Sequence, residues 1–265
     1  MISPKPPQLE GRLEFAVEIA RQAGEQTLQL FRSSKLEVQR KQDGSPVTAA
    51  DREAEQVMRA ILASEAPGHG IVGEEFGSDR AGAEWVWVLD PIDGTKAFIS
   101  GQPTFGTLVA LLHQGEPVVG VIDQPISCER WSGARGLPTT FNGEVKHTRA
   151  KEDLASATVY ATSPDQFAGA DAESFGRLSG VCGLTRFGID CYAYGLLALG
   201  FVDLVVEADM KLYDFAALVP VVEGAGGVIS DWGGRPLGAE SDGRVVAVGD
   251  ARLHRAALGV LGAPA

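Results

Sequence analysis

The sequence predicts an α+β architecture in its first half and an α/β architecture in its second half. In residues 1–150, two helical patterns precede a series of strand-like runs, which is typical of helices packed on an antiparallel sheet. In residues 151–265, strand and helix patterns alternate, as they do in α/β domains. Since no linker is visible in the composition, this change of pattern alone places the predicted boundary. We therefore predict an N-terminal domain over residues 1–150 and a C-terminal domain over residues 151–265.

The first half begins with two helical patterns. Apolar residues recur at helical spacing from Leu9 to Phe31 and predict an amphipathic helix that ends near Arg32. A second helix is predicted over residues 48–63, before Pro67-Gly68. The strand-like runs that follow are WVWVLD, halted at Pro91, then TFGTLVALLHQGEPVVGVIDQP as two strands about a turn, and the shorter ERWSGARG and TTFNGEV.

The second half alternates between the two kinds of element. Its predicted strands lie in ATVYATS, LTRFG, DLVVE, GGVIS and RVVAVG. Its predicted helices cover residues 172–178, 191–199, 213–223 and 253–261.

Composition and charge exclude several classes of protein. The chain has 35 acidic and 23 basic residues and a formal net charge of −12, which argues against a general binder of nucleic acid or of anionic membranes. Its three cysteines are an odd number without framework spacing, which indicates a reducing compartment. The N-terminal residues lack the apolar region of a signal peptide, and no apolar run is long enough to span a bilayer. We expect a cytoplasmic protein.

Several acidic residues stand in apolar sequence instead of on a charged face. Glu74 and Glu75 follow a short apolar run, Asp90 ends a strand, Asp93 lies in the next turn, and Asp214 begins an apolar helix. A buried carboxylate is costly unless a cation neutralises it, and oxygen ligands without histidine or cysteine suit Mg²⁺, with Mn²⁺ as an alternative. Each residue also has a purely structural interpretation, because aspartate is common in turns and helix caps.

The turn that follows Asp93 adds an anion site. Gly94 and Thr95 are predicted to open a short helix, whose free N–H groups and positive dipole end favour a phosphate. Carboxylates joined to such a site indicate phosphate-ester chemistry. The spacing Asp90-x-x-Asp93-x-Thr95 is one residue longer than D-x-D-x-T, the motif of phosphatases that phosphorylate an aspartate, so no covalent phosphoenzyme is expected.

Three motifs together resemble the inositol monophosphatase family. They are GEE at residues 73–75, WVLDPIDGT at residues 87–95, and YDFAA at residues 213–217 with EGAGG at residues 223–227. The resemblance spans nearly the whole chain. It implies a layered α-β-α-β-α sandwich of the inositol monophosphatase and fructose-1,6-bisphosphatase type. It also implies a homodimer, inhibition by Li⁺, and hydrolysis of a small phosphorylated substrate with two or three Mg²⁺ ions.

The same resemblance implies a role for each matching residue. Thr95 and Asp51 would position and deprotonate the attacking water, although Thr48-x-x-Asp51 is also a helix-capping pattern. Glu75 would orient its neighbours, and the N–H groups of Gly94 and Thr95 would hold the phosphoryl oxygens. The family usually has tryptophan where this chain has Tyr213. The implied Mg²⁺ ligands are Glu74, Asp90, the backbone carbonyl of Ile92, Asp93 and Asp214.

The resemblance also implies that Asp190 and Glu207 face the leaving group, and Arg186 lies nearby in the sequence. Paired carboxylates favour a cation such as an amino alcohol, and segments such as TKAFISGQPTFG resemble the histidinol-phosphate phosphatase branch of the family. L-Histidinol phosphate is therefore the expected substrate, in histidine biosynthesis. Three alternatives stay open: an inositol-1-phosphate or sugar-phosphate phosphatase, a catalytically inactive phosphate-binding regulatory module, and structural roles in which Asp190 caps a helix and Glu207 pairs with Lys211.

Overall fold

The computed structural model describes residues 6–41 and 44–262. Its helices are α1 Pro6–Leu28, α2 Ala49–Glu65, α3 Thr95–Ile99, α4 Ala170–Val181, α5 Tyr192–Ala198, α6 Leu212–Phe215, α7 Leu218–Gly224 and α8 Ala251–Leu261. Its strands are β1 Val38–Arg40, β2 Pro46–Thr48, β3 Gly70–Gly73, β4 Gly77–Asp79, β5 Trp85–Asp93, β6 Gly106–His113, β7 Glu116–Gln124, β8 Glu129–Ala134, β9 Thr140–Phe141, β10 Glu144–Val145, β11 Thr158–Ala161, β12 Leu184–Phe187, β13 Leu204–Glu207, β14 Val228–Ser230 and β15 Val245–Val248. No helix among these residues is both long enough and apolar enough to cross a membrane.

Two large sheets organise the chain. The first has eight strands in the order β10-β9-β8-β7-β6-β5-β3-β4 and is antiparallel except where β3 runs parallel to β5. The second has five strands in the order β12-β11-β13-β15-β14, in which β11 is parallel to both of its neighbours and the other pairs are antiparallel. A separate hairpin joins β1 to β2. Both large sheets are therefore mixed.

The helices form three layers around the two sheets. Helices α1 and α2 cover one face of the first sheet with side chains such as Ile19 and Met58. Helices α5, α6 and α7 lie between the sheets, where Leu197 and Leu218 belong to the largest apolar core. Helices α4 and α8 pack together on the outer face of the second sheet. The predicted α-β-α-β-α sandwich is thus confirmed.

The predicted domain boundary near residue 150 falls between β10 and β11, which belong to different sheets. Helix α7 comes after that boundary yet packs on β7 and β8 of the first sheet. The two halves consequently share the middle layer of the sandwich.

Strand β5 continues past the point where the sequence analysis ended it. The strand runs through Pro91 to Asp93, and its pairing with β6 shifts register between Asp90 and Asp93. Proline is tolerated there because a bulge removes the need for a ladder N–H. The bulge also redirects the strand at the point where Asp90 and Asp93 lie.

The single helix predicted over residues 213–223 is in fact two helices, α6 and α7.

Helix α7 lies directly against the backbone of the first sheet. A Cβ atom on Gly120 in β7 would come 2.0 Å from the carbonyl oxygen of Ala217, and one on Gly133 in β8 would come 2.5 Å from that of Pro220. Any side chain at either position would push the helix away. These glycines therefore set the position of α7 and of α6, which precedes it.

Candidate active site

Three carboxylates meet where β5 ends and α6 begins. Each of Asp90, Asp93 and Asp214 offers an oxygen, and the three oxygens lie within 4.8 Å of one another. The bulge in β5 presents the first two, and the backbone N–H of Lys211 donates to Asp214 Oδ2 at 2.6 Å. The capping interpretation of Asp214 is therefore correct, and the same side chain also reaches the cluster.

Burial and mutual repulsion raise the pKa values of the carboxylates in this cluster. Burial raises the pKa of Asp90 well above its usual range, and the nearby charges of Glu74, Asp93 and Asp214 raise it further. Burial and the charge of Asp190 likewise raise the pKa of Asp93, and burial raises that of Asp214 to about 7. A divalent cation would stabilise the state in which all of these neighbouring carboxylates are ionised. A set of donors made only of oxygen atoms fits Mg²⁺ or Mn²⁺.

Glu74 and Glu75 follow β3 and are held by residues that the sequence analysis did not identify. Lys41 Nζ donates to both carboxylates at 2.7 Å. The buried Glu55 carboxylate accepts the N–H of Glu75 at 2.7 Å and pairs with Arg59. Lys41 is 33 residues from Glu74, so no local pattern connects them. Glu55 stands three residues before Met58 and seven before Leu62, so helical spacing could have placed it on the buried face of α2.

Asp51 contributes one oxygen to a helix cap and the other to Thr95. Asp51 Oδ2 accepts hydrogen bonds from the Thr48 N–H at 2.8 Å and the Thr48 hydroxyl at 2.6 Å, which completes the capping box of α2. Thr95 Oγ1 lies 3.3 Å from Asp51 Oδ1 and 3.2 Å from the Ile92 carbonyl oxygen. The structural interpretation and the catalytic one are therefore compatible, because each uses a different oxygen.

A cavity of about 220 Å³ adjoins the carboxylate cluster. Asp93, Asp190, Glu207 and Asp214 line it. Asp190 lies so close to Gly94 that a Cβ there would come 2.7 Å from Asp190 Oδ2, and the φ of Gly94 is +88°. Only glycine satisfies both constraints. Burial raises the pKa of Asp190 to about 6.

The structure contradicts the two structural interpretations offered for Asp190 and Glu207. Helix α5 has no side-chain cap, so Asp190 does not cap it. Lys211 Nζ pairs with Asp209 at 2.7 Å, whereas Glu207 accepts hydrogen bonds from Thr162 and Gln166. Both structural alternatives were therefore wrong.

Arg186 lies on the edge strand β12 with an exposed side chain, and it is not among the residues that line this cavity. The structure brings Asp190 and Glu207 together without it.

Similarity to known proteins shows to which family the chain belongs. A sequence model of the inositol monophosphatase family matches residues 8–261. The chain belongs to the inositol monophosphatase family. This agrees with the motifs identified in the sequence.

Relatives within the inositol monophosphatase family carry different substrate names. The chain is 47% identical over 249 residues to the bifunctional phosphatase IMPL2, chloroplastic, of Arabidopsis thaliana, covering 91% of this chain and 72% of that protein. It is 36% identical over 236 residues to the histidinol-phosphatase of Chlorobaculum parvum, covering 89% and 91%. A solved inositol monophosphatase from Zymomonas mobilis superposes with a TM-score of 0.89 at 50% identity, covering 96% and 99%. The protein is therefore a phosphoric monoester hydrolase.

Proposed function

We propose that the protein is a Mg²⁺-dependent histidinol-phosphate phosphatase, which hydrolyses L-histidinol phosphate to L-histidinol and phosphate in histidine biosynthesis. The observation that carries this proposal is the cavity beside the carboxylate cluster, because Asp190 and Glu207 give it an anionic lining. Buried carboxylates favour a cationic leaving group over a neutral one. The similarity to the histidinol-phosphatase of Chlorobaculum parvum supports the same choice.

In this proposal the acidic residues bind up to three Mg²⁺ ions, and Asp90 is shared between the first two. Glu74, Asp90 and the Ile92 carbonyl would hold one Mg²⁺, Asp90, Asp93 and Asp214 would hold a second, and Glu74 would reach a third. Bound Mg²⁺ lowers the pKa of a coordinated water and screens the charge of the phosphate. Lys41 pairs with Glu74 and Glu75, so it places positive charge beside the same group of ligands.

Residues of the chain would orient the substrate and accept the proton of the attacking water. The N–H groups of Gly94 and Thr95 would hold the phosphoryl oxygens at the start of α3. The Thr95 hydroxyl donates to Asp51 Oδ1, which leaves its oxygen available to accept a hydrogen bond from water. The water proton would pass to Asp51, whose other oxygen is fixed by Thr48. Water would attack phosphorus in line with the P–O ester bond, which breaks, and the departing alkoxide would take a proton from solvent to leave as the alcohol.

Removing the Thr95 hydroxyl tests this proton path. We expect Thr95→Val to lower kcat about a hundredfold with little change in KM, because the isosteric side chain cannot link water to Asp51. Steady-state phosphate release measures both constants. Thr95→Ser keeps the hydroxyl and serves as the control, which should retain most of the activity. Wild-type kcat in Thr95→Val would contradict the role of Thr95.

A substrate panel tests the proposed function itself. We expect phosphate release with Mg²⁺ to show a kcat/KM for L-histidinol phosphate at least about tenfold above the values for inositol 1-phosphate, fructose 1,6-bisphosphate and 3′-phosphoadenosine 5′-phosphate. Preference for inositol 1-phosphate would favour the second candidate, an inositol-1-phosphate phosphatase. The 50% identity to the Zymomonas mobilis inositol monophosphatase supports that candidate. If phosphate is released from none of these substrates, the result would instead indicate a regulatory phosphate-binding module.

We also propose a cytoplasmic homodimer that is inhibited by Li⁺ and takes only small phosphorylated substrates. The net charge of −12 supports the exclusion of nucleic acid and membrane surfaces as partners. Leu184 and Phe187 expose apolar surface on the edge strand β12, which supports self-association.

A further inference from the structure

We propose that Gln166 and Thr162 are positioning residues that select an ammonium-bearing leaving group by holding the carboxylate of Glu207 toward the cavity. This inference rests on the proposed function and deepens it, since it names the residues that would make the cavity specific for an amino alcohol. Neither residue belongs to any of the motifs identified in the sequence. Both line the cavity of about 220 Å³ beside Asp93 and Asp214.

Three neutral donors fix Glu207 at the end of β13. The N–H and the hydroxyl of Thr162 each lie 3.0 Å from Glu207 Oε1, and the Gln166 side-chain amide donates to Oε2. Glu207 is only 2% exposed, so its orientation depends on these contacts. Neutral donors stabilise a carboxylate without cancelling its charge, which stays available for a cation in the cavity.

The segment that carries Gln166 is itself rigid. Ser163 Oγ accepts the N–H of Asp165 at 3.2 Å and caps a 3₁₀ turn over Pro164–Gln166. Proline at the first position of the turn fixes its backbone. Phe167, which follows the turn, is buried and stacks on Phe175 with ring centroids 4.1 Å apart. The amide of Gln166 therefore projects from a segment anchored in the core of the second sheet.

Loss of a donor should weaken binding of the ammonium group specifically. Burial raises the pKa of Glu207 to about 7, and the hydrogen bonds from Gln166 and Thr162 oppose that rise. A variant without one of these donors would hold more Glu207 in the neutral form and would leave the carboxylate less well oriented. The ammonium group does not change during phosphate transfer, so its contact acts equally on bound substrate and transition state. The effect should appear in KM and not in kcat.

The experiment compares L-histidinol phosphate with 3-(imidazol-4-yl)propyl phosphate, which differs only by lacking the amino group. We expect the Mg²⁺-loaded wild-type enzyme to have the lower KM for the amine. Gln166→Met keeps the side-chain length without the donor, and it should raise KM for histidinol phosphate about tenfold with kcat and the KM of the deaminated ester unchanged. Thr162→Val should act in the same direction, and Thr162→Ser should restore the wild-type value. Thermal unfolding checks that each variant is folded.

The possible results separate this inference from the function on which it rests. Wild-type enzyme with equal KM values for the two esters would contradict the proposed function and this inference together. Wild-type preference for the amine that persists in both Gln166→Met and Thr162→Val would overturn only the positioning role. An equal rise in KM for both esters would also overturn it, because Gln166 would then support the cavity as a whole.

Discussion

Replacing Asp214 with asparagine is expected to lower kcat/KM about a thousandfold or more while the protein stays folded. The three carboxylate oxygens of Asp90, Asp93 and Asp214 lie within 4.8 Å of one another, so an amide in place of one removes a charged ligand from the cluster. The hydrogen bond from the Lys211 N–H can persist to the amide oxygen, which preserves the start of α6. Phosphate release measures the loss.

Stability measurements distinguish this loss from unfolding. With less repulsion among buried carboxylates, the metal-free Asp214→Asn variant should have a higher Tm than the metal-free wild type, and Mg²⁺ should raise its Tm less. Asp79→Asn is the matched control, because Asp79 is an exposed aspartate that pairs with Arg80 away from the cluster. Full activity in Asp214→Asn would contradict the metal assignment. A lower Tm without Mg²⁺ would contradict the electrostatic argument.

Removal of divalent metal is expected to abolish activity completely, and added Mg²⁺ is expected to restore it. The stability of the metal-free protein should also depend on pH. Burial raises the pKa of Asp214 to about 7 and that of Asp90 well above its usual range, so the folded protein binds more protons than the unfolded chain near neutrality. We therefore expect the stability of the metal-free protein to fall as pH rises from about 4, the ordinary pKa of an aspartate, to about 7, the raised pKa of Asp214.

Saturating Mg²⁺ should reduce this pH dependence, because the ion replaces the protons that the carboxylates otherwise retain. Thermal unfolding with EDTA and with Mg²⁺, at matched pH values, measures both effects. Phosphate release that survives exhaustive chelation would contradict the metal-dependent mechanism. A Tm of the metal-free protein that rises over this pH range would show that the cluster is not the dominant titrating group.

The features that could be predicted from sequence are those encoded by neighbouring residues. The Thr48-x-x-Asp51 spacing predicts the cap of α2, and the cap is present. Gly94 and Thr95 predict the turn into α3, whose left-handed glycine the structure contains. The order of elements predicted an α+β half and an α/β half, whereas the five-layer architecture was implied by the family resemblance alone. Pro91 was misleading, because local propensity indicates the end of a strand and cannot reveal a bulge that depends on the partner strand.

The features that could not be predicted connect distant segments. Lys41 reaches Glu74 and Glu75 from a hairpin that precedes α2, and its sequence surroundings are those of an ordinary polar turn. Gln166 donates to Glu207 across 41 residues. The Lys41 contacts depend on how the hairpin lies beside Glu74 and Glu75, and the Gln166 contact depends on the pairing of β11 with β13. A sequence read along the chain contains no distances between such segments. The roles of the individual site residues, and the division at residue 150, stay predictions.

Substitution of either of the two glycines beneath α7 is expected to affect activity, although both glycines lie outside the active site. A side chain at Gly120 or Gly133, in the middle of the first sheet, would meet the backbone of Ala217 or Pro220. The two glycines therefore determine how closely α7 approaches β7 and β8, and α6, which precedes α7, packs on β5. Asp214 belongs to α6, whereas Asp90 and Asp93 belong to β5. The ligand separation is thus a property of tertiary packing, and an inactivating change in this protein can lie far from any residue that contacts substrate.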